Sequence, residues 1–255
     1  MSNLQYGYTH AEVKEKRKEK NMKIYLSPSQ QYYNKYSAGD TTEKEQCNRI
    51  AEHCERALIR CGFEVKRAVA GTKTDGAIAE SNAWGAQLHV PIHTNAGGGK
   101  GCVVFVSQLS EDRLRYAQAV YDELSEITVA DESYGVRTAR FDEIRKTSGK
   151  CIYVEAEFHD SVEGAEWIIE NVGEIGEAIC RGICKGAGVK YIEEEKRMFK
   201  DIEGNGLKAE ILRAAELGLL QGYGDGTFRP NEPLTRAQAA AVMVRLHDKL
   251  KEELK

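Results

Sequence analysis

Short apolar runs alternate with helical stripes from Met22 to Gly188, and this alternation constrains the fold more than any other feature of the 255-residue chain. "MKIYLSP" is a strand stopped by proline, and "GDTTEKEQCNRIAEHCERALIRCGF" follows as a capped amphipathic helix ending at Gly62. The order continues with "FEVKRAV" as a strand, "DGAIAESNAWGA" as a helix, and "QLHVPIH" and "GCVVFVS" as strands. Then come "SEDRLRYAQAVYDELSEIT" as a helix, "CIYVEAEF" as a strand and "SVEGAEWIIENVGEIGEAICRGICKGAG" as a long helix. Strands joined through helices return in the same direction, so the pattern predicts an α/β fold: a mostly parallel twisted sheet with helices on both faces. Ligands of such sheets sit at the carboxyl ends of the strands.

Changes of composition divide the chain into four parts. Residues 1–21 form a polar tail, 22–187 the α/β domain, 188–198 a charged linker containing "VKYIEEEKRM", and 199–255 a small all-α, helix-loop-helix module. In the last part Leu207, Ile211, Ala214 and Leu217 make one helical stripe, and Ala239, Met243, Leu246 and Leu250 make another across the turn "GYGDGTFRP". Lys plus Arg number 36 against 40 Asp plus Glu, a net charge of −4 that argues against a nucleic-acid partner. No apolar stretch approaches a membrane span, and the first twenty residues lack the apolar core of a secretory signal. Seven cysteines are an odd number, and Cys47, Cys54 and Cys61 recur every seven residues on one helical stripe. They are expected to be reduced core residues, and the lack of any CxxC pair excludes a zinc finger.

Three residue groups could carry chemistry. His93 ends a strand in "VPIHTNAGGGKG", where a glycine-rich turn lets backbone approach closely. His89 lies four residues earlier, about 13 Å along an extended strand, too far to share an ion with His93, and is expected to be packed. Glu43 lies on the same helical face as Cys47, Ile50, Cys54 and Leu58, which aims a carboxylate at the sheet edge, where it needs a partner. Thr42 and Glu45 can form a capping box, which accounts for Glu45 and leaves Glu43 unexplained. Glu155 and Glu157 stand in the apolar strand "CIYVEAEF", where burial raises a carboxylate pKa as a general base requires. Roughly 6.6 Å apart on one face, they also fit the acid pair of a muramidase. His159 follows Glu155 by four residues, placed either to swing toward a metal or to cap the next helix.

"EKEQCNRIA", "PIHTNAGGGKG" and "RKTSGKCIYVEAEF", in that order, resemble the zinc-dependent N-acetylmuramoyl-L-alanine amidases of the amidase-3 type over residues 22–187. The resemblance implies Glu43 and His93 as ligands of Zn2+ and Glu155 as the catalytic glutamate. It departs from the family after "MKIYLS", where the first histidine ligand should stand and the register here places Gln30. A carboxamide is a weak zinc ligand. His159 is therefore expected to supply the third ligand, with Gln30 as the alternative and His10 in the tail a poorer one. The implied reaction is metal-assisted hydrolysis of the amide joining muramic acid to the L-alanine of the stem peptide. Asn95 beside His93 either orients substrate or shapes the turn.

The last part, with "FKDI" and "GLLQGYGDGTFRPNEPLTRAQ", resembles an S-layer homology repeat. That resemblance implies a module that holds secondary cell-wall polysaccharide, with Arg236 facing the glycan. Thr235 and Gln238 fit a capping box, and the acids of a calcium loop are missing. Only one repeat is present where such repeats come in threes, so a homodimer through it is expected. The whole predicts a peptidoglycan hydrolase of the endolysin kind, made in the cytoplasm and released to the wall through a holin. Its rivals are a catalytically impaired wall-binding protein and a muramidase using Glu155 and Glu157.

Overall fold

A computed structural model describes residues 21–130, 134–194 and 199–253. The chain divides into two compact units, one running to Glu193 and one beginning at Glu194. Apart from Asn21, the expected tail over 1–21, including His10, lies outside the described residues.

The first unit is built on a seven-stranded sheet, order β2-β1-β3-β7-β4-β5, with β6 also paired to β3. Its strands are β1 (Lys23–Pro28), β2 (Glu64–Arg67), β3 (Leu88–Asn95), β4 (Val103–Val106), β5 (Val136–Thr138), β6 (Lys150–Cys151) and β7 (Tyr153–Phe158). Its helices are α1 (Glu43–Arg60), α2 (Thr74–Trp84), α3 (Glu111–Ser125), α4 (Asp142–Lys146) and α5 (Val162–Ala187). β1 runs parallel to β2 and β3, and β3 parallel to β6 and β7. β4 opposes β7, with β5 parallel beside it. The reversal follows from the connection: residues 96–102 are too few for a parallel crossover, which needs a dozen or more.

β3 is buried at all positions but its last because helices cover both faces. On one face Leu26, Val90, Ile92 and Val154 pack against α1, α3 and α5 through Ile50, Leu58, Val120 and Ile175. On the other, Tyr25 packs with Ala77 of α2, while Cys151 and Tyr153 pack with Ile144 of α4. α5 reaches both neighbouring helices through glycines. A Cβ on Gly176 would stand 2.8 Å from the Cys54 backbone nitrogen, and one on Gly182 only 2.4 Å from Val120 Cα. Any side chain there would push backbone apart, so these glycines set the distance between the helices. The capping box of Thr42 and Glu45 is formed at the start of α1. All seven cysteines are free and buried.

Asp201 organises the second unit: its carboxylate accepts hydrogen bonds from the backbone nitrogens of Phe228 (2.8 Å) and Arg229 (2.7 Å), closing the glycine-rich turn onto the start of the module. Phe199, Ile202 and Ile211 form its small core, lined by Phe228. Its helices are α6 (Lys208–Glu216) and α7 (Arg236–Glu253). The helical spacing read in α7 is present, but Met243 is 70% exposed and Leu246 and Leu250 also face solvent. Leu207 is likewise exposed. No helix among the described residues is long and apolar enough to cross a membrane.

Candidate active site

The parallel pairing of β1, β3 and β7 brings their carboxyl ends side by side, and the sequence places polar residues at each end. From β3 comes His93, paired in register with Glu155 of β7. Glu43 arrives from the first turn of α1, where the positive end of the helix dipole favours a carboxylate. Its Oε1 lies 2.8 Å from His93 Nδ1, and both residues are buried. Thus a helix-leading acid and a strand-end imidazole, 50 residues apart in the chain, do meet.

The pair is held from several sides. Asn34 Nδ2 donates to Glu43 Oε2 at 2.6 Å, and the His93 ring stacks on Tyr153 with centroids 4.6 Å apart. Burial disfavours charge on both members, but their mutual hydrogen bond and Coulomb attraction outweigh it: the His93 pKa is raised and that of Glu43 lowered. Free of metal, the contact favours the imidazolium–carboxylate form of the pair.

Glu155 has a different environment. Its Oε2 is cut off from solvent and has no hydrogen-bond partner among the described residues. Desolvation pushes its pKa up to about 7, against the pull of the His93 charge and with the repulsion of Glu43. A carboxyl group poised near neutrality beside an imidazole is suited to take and return a proton. Glu157, two residues on, is committed otherwise: its Oε1 accepts from the backbone nitrogens of Gly101 (2.7 Å) and Phe158 (2.8 Å) and so fastens the glycine-rich turn. Asp160 holds the other side of that turn through the nitrogens of Gly97 and Gly98, two glycines whose positive φ favours their residue type.

His159 and Gln30, the two residues expected to compete for a third ligand position, are both engaged elsewhere. His159 Nδ1 lies 3.0 Å from Thr94 Oγ1, and its ring stacks on Tyr36 at 5.0 Å. Thr94 follows His93 in the strand and sends its side chain to the opposite face, toward α1 and α5. Gln30 Nε2 donates to the Pro28 carbonyl and its Oε1 accepts from the Gly71 nitrogen at 2.6 Å, so it clamps a loop. The residue at the mouth of the site is its neighbour Gln31, whose Nε2 stands 3.4 Å from His93 Nδ1 and whose Oε1 accepts from Asn34 Nδ2 at 2.9 Å. Gln31, Asn34 and Tyr153 were not singled out from the sequence; the one signal for the first two was the unusual density of amides in "SQQYYN". His89 is packed as expected, bonding Ser81 and Glu143.

An imidazole nitrogen and a carboxylate oxygen converging within 2.8 Å, beside a buried carboxylate oxygen lacking any partner, make a donor set that fits a divalent ion such as zinc. Beside these two donors stands the Gln31 carboxamide. In the second unit Arg236 is exposed at the start of α7, and the reciprocal bonds between Thr235 and Gln238 complete that helix's capping box.

Both units match known families. Residues 24–185 match the family described as N-acetylmuramoyl-L-alanine amidase, and residues 199–240 match the S-layer homology domain. Outer membrane protein SlpA of Thermus thermophilus is 45% identical over 58 residues, which are 22% of this chain and 6% of that protein. The chain thus spans only a small part of that relative. Among solved structures, the amidase AmiC2 of Nostoc punctiforme has a TM-score of 0.58 at 21% identity, covering 64% of this chain and 96% of that one. The catalytic domain of CwlV, an amidase from Bacillus (Paenibacillus) polymyxa var. colistinus, has a TM-score of 0.57 at 17% identity, covering 66% and 99%. The catalytic domain of the CD27L endolysin, which targets Clostridia difficile, has a TM-score of 0.54 at 20% identity, covering 68% and 100%. At these identities the likeness is one of fold; the family match over more than half of the sequence carries the assignment. The chain belongs to the N-acetylmuramoyl-L-alanine amidase family, with an S-layer homology domain following in the same chain.

Proposed function

We propose that the first unit hydrolyses the amide between N-acetylmuramic acid and the L-alanine of the stem peptide with zinc as its cofactor, while the second holds the enzyme on the wall. The observation that carries the reading is Glu155: a buried carboxyl oxygen without a partner, pushed toward neutrality, beside the Glu43–His93 pair. Glu43 and His93 would hold the ion, which when bound supplies Lewis acidity that polarises the scissile carbonyl and acidifies water. Glu155 takes the proton from the attacking water and returns it to the leaving alanine nitrogen. Glu157 and Asp160 fix the glycine turn beside the site. Digestion of purified Gram-positive wall tests the bond assignment: new N-terminal alanine is expected, and new reducing sugar ends without it would make the enzyme a muramidase. Lysis of cells by protein added from outside supports the endolysin setting; intact cells alongside digested isolated wall would remove it.

A second reading has its own observation: with Gln31 where a third strong donor would stand, the chain could be a wall-binding protein of impaired activity. Zinc in protein purified without chelator that His93→Ala removes, together with alanine release by the wild type, decides for the enzyme. Arg236 is proposed as the glycan contact, supported by its exposure and by a capping box that leaves it unused. Arg236→Ala is expected to cut retention on wall polysaccharide at least tenfold with helicity unchanged; unchanged retention would reassign the contact. Self-association through α7 belongs to the same proposal, supported by the exposed Met243, Val244, Leu246 and Leu250, and a monomer mass in sedimentation at working concentration would remove it.

A further inference from the structure

Cys61, Cys180 and Cys184 gather where the end of α1 meets the second half of α5, and all three are buried. Cys180 Sγ lies 3.8 Å from Cys61 Sγ and 4.0 Å from Cys184 Sγ, and the three sulfurs lie within 4.8 Å of one another. Among the described residues this is the only group of three His, Cys, Asp or Glu side chains whose donor atoms come so close. It shares no residue with Glu43, His93 or Glu155.

We propose that these three thiols form a second metal site, a three-thiolate site for a soft d10 cation of the zinc or cadmium kind, separate from the hydrolytic centre. Three sulfurs bound to one ion at about 2.3 Å stand about 3.8 to 4.0 Å apart, so the observed separations need little rearrangement. Ile192 donates its backbone N–H to Cys61 Sγ at 3.3 Å, which would orient that sulfur toward an ion. Arg60, bonded to the Ile192 carbonyl and ion-paired with Glu177, lies at the rim. Binding replaces the thiol protons, releasing them to solvent. The site joins α1, α5 and the segment at Ile192 that follows α5, so an ion there would staple three pieces of chain. Cys61 caps the end of α1, and Cys180 and Cys184 lie four residues apart on α5, an arrangement that a search for paired CxxC motifs passes over.

The alternative is ordinary packing of reduced thiols, which touch at similar distances. Cadmium, added anaerobically to the metal-free full chain, separates the two. One equivalent should bind with the ultraviolet charge-transfer absorption of a cadmium thiolate and raise the melting temperature. That absorption should persist in His93→Ala, which weakens the hydrolytic site, and in Cys151→Ala, which removes a buried thiol outside the group. It should be lost in both Cys180→Ala and Cys184→Ala, each checked for native near-ultraviolet dichroism. Absence of the band in the wild-type chain, or its survival in a folded Cys180 or Cys184 variant, would overturn the proposal.

Discussion

Glu155→Gln should lower the release of N-terminal alanine from purified wall by about 10³-fold, the scale on which a positioned acid–base group contributes, while zinc content stays near that of the wild type. The amide keeps the shape of the carboxyl but cannot accept and return a proton. On the proposed reading Glu43 and His93 would still hold the ion, since neither is changed. Activity within tenfold of wild type would remove Glu155 from the reaction, and simultaneous loss of zinc would make it a ligand. In the active enzyme Glu155 must be ionised, so kcat/KM should rise with pH along a limb at or below about 7, a bound cation only drawing it lower.

The same substitution has an effect on stability that no loss of catalysis explains. In protein stripped of metal, the folded state raises the Glu155 pKa from 4.5 to about 7. Between those values the folded chain binds more protons than the unfolded one, so this group's contribution to stability falls as pH rises through the window and stays low above it. The full cost is on the order of 3 kcal/mol. His93 acts in the same direction, since its raised pKa gives stability that is lost as pH climbs through it. Comparing Glu155→Gln with wild type tests the glutamate together with its pull on His93, and both act in one direction: the variant should lose less stability between pH 5 and pH 8 in urea unfolding. Parallel pH profiles would mean that Glu155 is not held in the environment described.

Glu155, Glu43 and His93 could be read from the sequence because each contradicts its surroundings. An acid inside an apolar strand, an acid on a core-facing stripe and a histidine at a strand end all need a partner, and residue type alone raises the question. The strand and helix alternation was legible for a related reason: strands covered on both faces show as continuous apolar runs, and helices packed on one face show as stripes. β5 and α4 were not, since three and five residues within "VRTARFDEIRK" are too few to show a period. The antiparallel course of β4 was within reach, because the length of the 96–102 connection already forbids a parallel crossover. The stripe of α7 shows the other limit: spacing reveals an apolar face but not what covers it, and Met243 is exposed. Distance in sequence from Glu155 does not fix the direction of His159, which leaves the strand end toward Thr94 and Tyr36.

The choice between Gln30 and Gln31 was beyond periodicity altogether, because a turn has none, and it leads to the second large effect. Gln31→His should tighten zinc binding by at least about 10²-fold, more than a change among the groups that merely orient ligands, because it adds an imidazole to two strong donors already in place. The position is fixed: Gln31 Oε1 is held by Asn34, and Nε2 stands 3.4 Å from His93 Nδ1. That nitrogen already donates its proton to Glu43 when His93 is charged, so Gln31 gains no good bond from it and little is lost on replacement. Gln30→His should leave affinity unchanged, since its side chain points to Pro28 and Gly71. His159→Ala should also leave affinity unchanged while lowering the melting temperature, because the ring packs between Tyr36 and Thr94. Zinc affinity measured by competition against a chelator separates the three positions. Tightening by Gln30→His would restore the register inferred from sequence, and loss of zinc in a folded His159→Ala protein would show that this histidine swings across the strand to complete the site.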